Sequence, residues 1–299
     1  MKQVFVGIVV MFCAFTGTSA FAQMTVVTYP KSESIADTQY VYDYELLRQA
    51  LEATVPTHGT FELKASAAPM NQARAGDELA SPGGAINVFA RSTALEHEQR
   101  FVPVRIPIDK GLVSFRVFLV RDDMQAKVGA VNSLDDLRAY SIGSFTTWAD
   151  TQILRAAGFK VVTGDSYEGL FRMLVQGRFD LFSRSADEAY REYDERRRLL
   201  PEMKVEQNLL LYFPTTRFFF VRRGADGEKL ASRIEEGLNL MVKTGSFDAH
   251  FLRYKGALIA RARLKTRKVF RIDNPVMSAE TRALFKSRPE LWYDPASGR

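Results

Sequence analysis

Residues 133–182 read SLDDLRAYSIGSFTTWADTQILRAAGFKVVTGDSYEGLFRMLVQGRFDLF. Ser133 opens a short helix, because its hydroxyl can accept a first-turn N–H that has no partner within the helix. Asp135 and Asp136 follow at the positive end of that helix, which makes them capping acids rather than catalytic ones. Residues 140–142 then form a strand ending at Gly143-Ser144, and 148–157 a helix closed by Gly158. A strand at 160–163, a helix at 166–175 closed by Gly177 and a strand at 179–182 complete the stretch. Short, continuously apolar strands alternating with helices predict a sheet covered on both faces.

Working outward, the same alternation recurs. Upstream lie strands at 24–29, 60–65 and 85–89, with helices at 41–53 and 70–79 between them. That order predicts a parallel sheet with right-handed crossovers. After a strand at 115–120 comes the quoted stretch, then a polar helix at 186–198 and strands at 209–212 and 218–221 flanking Pro214. Helices at 229–241 and 247–258 follow. Two α/β units of similar size predict two lobes, with the second inserted into the first. Residues 23–118 and 216–263 are expected to form one lobe and 119–215 the other. Crossings near Phe118-Leu119 and Phe213-Thr216 form a hinge, and 264–299 is an irregular tail packed on the surface.

The ends and the composition set the compartment. Lys2, an apolar run from Val4 to Phe15 and Ala20-Phe21-Ala22 form a signal peptide over residues 1–22. The run is shorter than the roughly 20 residues a membrane span needs. Cys13, the one cysteine, falls inside it, so the mature chain has no thiol, disulfide or cysteine-based metal site. Export to the periplasm follows. The formal charge of +6 is spread along the chain, and hydrophobic residues make up 46%. This globular balance lacks a basic-aromatic module, which excludes nucleic acid as a partner and leaves a mild preference for anions. His58, His97 and His250 have no metal-ligand spacing, and no nucleophile elbow or phosphate loop is present. Neither a metal nor a cofactor is expected.

The segments Ser133-Leu134-Asp135-Asp136-Leu137, Gly143-Ser144-Phe145-Thr146 and Asp150-Thr151-Gln152-Ile153-Leu154 resemble the type II periplasmic solute-binding proteins, specifically the bacterial extracellular family that binds amino acids and similar polar solutes. Gly158-Phe159, Tyr167-Glu168-Gly169-Leu170, Gly177-Arg178-Phe179-Asp180 and Gly245-Ser246-Phe247 continue the pattern, over roughly residues 25–256. The resemblance implies a cleft between two lobes that closes on a ligand. It also implies an arginine three residues after a threonine, for a carboxylate, and an acid four residues after Asp180, for an ammonium. Here Thr93 is followed by Glu96 and Asp180 by Arg184. Both ends of the zwitterion site are changed, so a standard α-amino acid is not the expected ligand.

Ligands of open α/β sheets bind beyond the carboxyl ends of strands. Arg184 and the pair Arg91-Ser92 sit at such ends, where a guanidinium offers a bidentate fork to an anion. Arg184 could instead pair with Asp187 or Glu188, and Ser92 could simply cap a helix. Arg105 and Arg116 flank the hinge and are either cleft residues or ion-paired scaffold. The loop Ser144-Phe145-Thr146-Thr147 before the Trp148 helix offers amides and hydroxyls to an anion, unless a threonine merely caps that helix. Tyr29, Phe145 and Trp148 are candidate pocket walls, with core packing as the alternative; Tyr167 is a weaker candidate, and Asp150 is read as structural. The expected function is capture of a small polar, anionic solute for an ABC-type transporter of the inner membrane, by a monomer that is not an enzyme. A ligand-sensing module for a membrane receptor is the alternative. A small-acid dehydratase, with Glu96 or Asp150 beside Arg184 as its acid–base group, is a third.

Overall fold

The structure, a computed structural model, describes residues 24–32 and 40–298. The expected signal peptide lies outside the described residues. Strands β1 (Thr25–Lys31) and β2 (Phe61–Pro69) pair in parallel. Three further strands form an antiparallel sheet in the order β3 (Val88–Ser92), β11 (Arg217–Val221), β4 (Val102–Val104). Asn87 joins these two groups. Its N–H donates to the Thr28 carbonyl at 3.0 Å, and its Oδ1 accepts the Thr28 N–H at 2.8 Å.

The larger sheet has seven strands. Along it run β12 (Lys268–Arg271), β10 (Leu209–Tyr212), β5 (Phe115–Arg121), β8 (Leu181–Ser185), β6 (Ser141–Phe145) and β7 (Lys160–Gly164), while β9 (Met203–Val205) pairs with β5 off that path. β5 is its central strand, and its apolar run Val117-Phe118-Leu119-Val120 is fully buried. Within β6, a Cβ on Gly143 would meet the Phe179 ring at 2.2 Å, so only glycine lets that ring sit there. The β11 run Phe218-Phe219-Phe220-Val221 alternates between two cores, Phe218 and Phe220 packing with Phe89 and Phe101 and Phe219 and Val221 with the helical side. That is the period of two expected of a strand covered on both faces.

Four expectations need correction. First, the sheets are mixed rather than parallel: β5 runs antiparallel to β8, β9 and β10, and β11 antiparallel to β3 and β4. Second, β5 belongs whole to the larger sheet through its pairing with β8 from Arg116 to Val120. The crossing therefore precedes Phe115 instead of falling at Phe118-Leu119. There Ser114 Oγ donates to the Thr215 carbonyl at 2.7 Å and accepts the Thr215 N–H at 2.9 Å, tying the two crossing segments together. Third, the strand expected at 85–89 starts only at Val88, because Asn87 is engaged with β1.

Fourth, the C-terminal stretch is not irregular. β12 extends the larger sheet beside β10 and buries Phe270. Asn274 Nδ2 then donates to the Pro214 carbonyl at 2.8 Å, and the helix Ala279–Ser287 reaches the smaller sheet's surroundings. It docks on Glu98, whose carboxylate accepts hydrogen bonds from Ser278 and Thr281 at 2.7 Å each. The segment thus links both halves of the molecule. Hydrophobic pattern alone undersells it, because β12 has one buried residue in four.

Candidate ligand-binding cleft

A cleft opens where the carboxyl end of β3 faces β8 and the start of the helix Ala149–Ala156 (βα junction after β6). Arg91, Ser92 and His97 line one wall; Thr147, Trp148 and Arg184 line the other; Arg116 and Arg217 reach in from the first residues of β5 and β11. Its volume is about 60 Å³, the space of a few water molecules.

Three of its four arginines are already paired. Arg184 donates to Glu192 through Nε at 2.9 Å and through a terminal nitrogen at 2.7 Å, and lies 3.1 Å from Glu188. Its guanidinium also stacks 4.5 Å from the centre of the Trp148 ring. These acids are positioned by the helix Ala186–Arg196, whose N-cap Ser185 and Glu188 form a reciprocal capping box. Spacing of four then puts Glu188 and Glu192 on one helix face, one turn apart. Arg116 donates to Asp150 at 3.0 Å and Arg217 to Asp43 at 2.5 Å.

The protonation states follow from this packing. Burial pushes the Glu188 carboxyl up, but Arg184 and Arg116 outweigh it and hold the group well below the usual carboxylate range. At Asp150 burial wins over Arg116 and the pKa is raised. Asp43 is pushed up to about 6 by burial, with Arg217 pulling the other way.

Arg91 differs. Its terminal nitrogens donate to Gln72, to the side-chain Oε1 and the backbone carbonyl, each at 3.0 Å. Its Nε has no hydrogen-bond partner, and no described carboxylate pairs with it. Burial and the neighbouring Arg217 lower its pKa, as expected for a charge held without a counterion.

Of the residues singled out in the sequence, Arg91, Ser92, Arg116, Thr147, Trp148 and Arg184 meet in this cleft, as does Asp150. The others do not. Tyr29 stacks on Tyr44 at 3.9 Å and lines a separate surface depression. Arg105 is bound to Glu98 at 2.6 Å. Ser144 is buried, its Oγ accepting from Thr151 at 2.7 Å, and Phe145 stacks on Trp148 at 5.7 Å. Thr146 turns its N–H to the Gly164 carbonyl at 3.1 Å, and Trp148 its N–H to the Phe145 carbonyl at 3.0 Å. The loop after β6 therefore has two of its amides engaged and is not an open anion cradle. Glu96 is exposed on the helix Leu95–Arg100 and outside the cleft, so the Glu96–Arg184 pair does not form. The expected free arginine forks reduce to one, because sequence shows the cations but not which acids fold against them. Tyr40, Gln72, His97, Val113 and Arg217 line the cleft without having been singled out as ligand contacts, and Glu188, named in the sequence as an alternative partner of Arg184, lines it in that role.

Among the described residues no helix is long and apolar enough to cross a membrane, and no group of three or more His, Cys, Asp or Glu could hold a metal ion. No family model and no curated protein matches the sequence. Solved structures do. A histidine kinase sensor domain with similarity to periplasmic binding proteins aligns with a TM-score of 0.56 at 18% identity, covering 79% of this chain and 97% of that one. A putative binding component of an ABC transporter from Wolinella succinogenes, complexed with lysine, aligns with a TM-score of 0.57 at 15% identity, covering 77% and 94%. An ancestral amino acid-binding protein, a precursor of cyclohexadienyl dehydratase, aligns with a TM-score of 0.53 at 15% identity, covering 77% and 94%. The chain therefore has the two-lobed α/β fold of the periplasmic binding proteins, with a cleft between its lobes.

Proposed function

We propose that this chain is a periplasmic solute-binding protein that takes a small, anionic solute into the cleft and delivers it to an inner-membrane transporter. Arg91 carries the reading: it is a cleft cation with spare donors and no carboxylate. A bound carboxylate would supply the missing counterion, and a charge-assisted bond in a poorly hydrated site is among the stronger polar contacts. The crossing segments held by Ser114 and Thr215 serve as the hinge about which the lobes rotate to admit it. The leader read from the sequence at residues 1–22 and the likeness to periplasmic binding proteins support a periplasmic location.

A neighbour that holds lysine raises the zwitterion alternative. Against it stands Arg184, which occupies the position where the family resemblance puts an acid for the ammonium, and which brings its own acids with it. The likeness to a sensor domain supports a second reading, in which the same cleft reports its ligand to a membrane receptor. A permease and ATPase encoded beside this chain favour uptake; a kinase or cyclase favours signalling. Catalysis is disfavoured, since Glu96 stands outside the cleft and Asp150 is tied to Arg116.

A thermal-shift screen of carboxylates, phosphorylated compounds and sulfonates tests the ligand class. Ligand at 100 times its dissociation constant adds about 2.7 kcal/mol of stability, a shift such a screen resolves. Stabilisation by a small anion that disappears in Arg91→Ala is expected. Stabilisation by lysine alone, or by none of these compounds, would overturn the reading.

A further inference from the structure

We propose that the cleft selects a small hydroxycarboxylate, with Arg91 holding the carboxylate and His97 Nε2 accepting the hydrogen of the ligand's hydroxyl. This deepens the function proposed above and rests on it.

The tautomer of His97 is fixed by its neighbour. Nδ1 lies 3.1 Å from the Ser92 carbonyl oxygen, and a carbonyl can only accept, so Nδ1 carries the hydrogen. In a neutral ring Nε2 then holds a lone pair. The ring is kept neutral by burial first and by Arg91 and Arg100 beside it, against the opposing pull of the Ser92 carbonyl and Glu96. The ring also meets the Phe220 ring, edge-on at 6.0 Å between centroids. Nε2 has no hydrogen-bond partner among the described residues, and His97 lines the cleft beside Arg91.

The rest of the cleft is rich in donors. Arginine can only donate, and the two lining carboxylates, Asp150 and Glu188, are held by Arg116 and Arg184. A ligand hydroxyl therefore finds an open acceptor in His97. An ammonium at the same place would meet Arg91, which has no carboxylate, and no free carboxylate lines the cleft to receive it, so like-charge repulsion disfavours it.

Calorimetric titration of the full chain at neutral pH with matched pairs tests this: lactate against propionate, malate against succinate, and alanine as the amino counterpart of lactate. The hydroxyl member of each pair should bind about tenfold more tightly, the worth of one well-placed hydrogen bond, and alanine should bind more weakly than lactate. In His97→Phe, which keeps a ring against Phe220, the preference for the hydroxyl member of each pair should fall to about one. The wild-type ratios decide the matter even if that variant does not fold. Equal binding within each pair, tighter binding of alanine, or a preference retained in His97→Phe would overturn the hydroxyl assignment while leaving a carboxylate site at Arg91. Failure of every carboxylate to bind would overturn the reading of the cleft itself, and this assignment with it.

Discussion

Arg184 and Arg91 show why residue type at a strand end does not by itself define a binding site. Both lie at the carboxyl ends of strands that face the cleft, yet one is saturated by Glu188 and Glu192 while the other is left with Gln72. Removing Glu192 leaves Arg184 buried with a weakened set of partners, and truncation of one member of a buried pair typically costs about 3 to 5 kcal/mol. Glu192→Ala should therefore lower unfolding stability by that order in a denaturant titration, whereas Arg91→Ala should change stability little and ligand binding strongly. Asp43 gives a prediction in pH. Its folded pKa of about 6 lies above the ordinary value of 3.8, so its contribution to stability is full below pH 3.8 and lost as pH rises through 6. The stability of the wild type minus that of Asp43→Asn should accordingly fall between about pH 4 and pH 6. Glu188 has the opposite sign: its lowered pKa adds stability above the ordinary glutamate range that disappears on acidification.

At the scale of elements, the helices Val41–Ala53 and Ala225–Thr244 pack closely enough that a Cβ on Gly237 would fall 2.0 Å from the Ala50 carbonyl oxygen. Gly237→Ala must push them apart, and overpacking of this kind costs about 1 to 3 kcal/mol; the melting temperature should drop with it. The C-terminal segment makes a comparable demand through Asn274, fully buried and bonded to the Pro214 carbonyl. Asn274→Ala would strand that carbonyl at a cost of about 1 to 3 kcal/mol, measurable in the same titration. Elements with strong period were legible in the sequence: the helix at 41–53, the strand at 209–212 and the helix cap at Ser133 stand where the pattern put them. β4, β9 and β12 were not, since strands of only three or four residues form only because a partner strand awaits them. Strand direction was likewise invisible, because it depends on which end of a sheet the chain re-enters after crossing the hinge.

Across the whole molecule, alternating strands and helices predicted the two-lobed α/β fold, and the comparisons bear it out. The cleft was legible as a place but not as a charge balance. Three of its four arginines were in view and Arg217 was not, whereas the acids that neutralise Arg217, Arg116 and Arg184 come from Asp43, Asp150 and the helix Ala186–Arg196, and only folding brings those together. His97 was set aside for lack of a second histidine, a criterion suited to metals and blind to a lone acceptor facing an arginine. A crystal structure grown with lactate tests the central claim most directly. Density for the ligand between the lobes, its carboxylate within hydrogen-bond distance of the Arg91 guanidinium, is the predicted result. Density for lactate only outside the cleft, with Arg91 still engaged solely by Gln72, would contradict it.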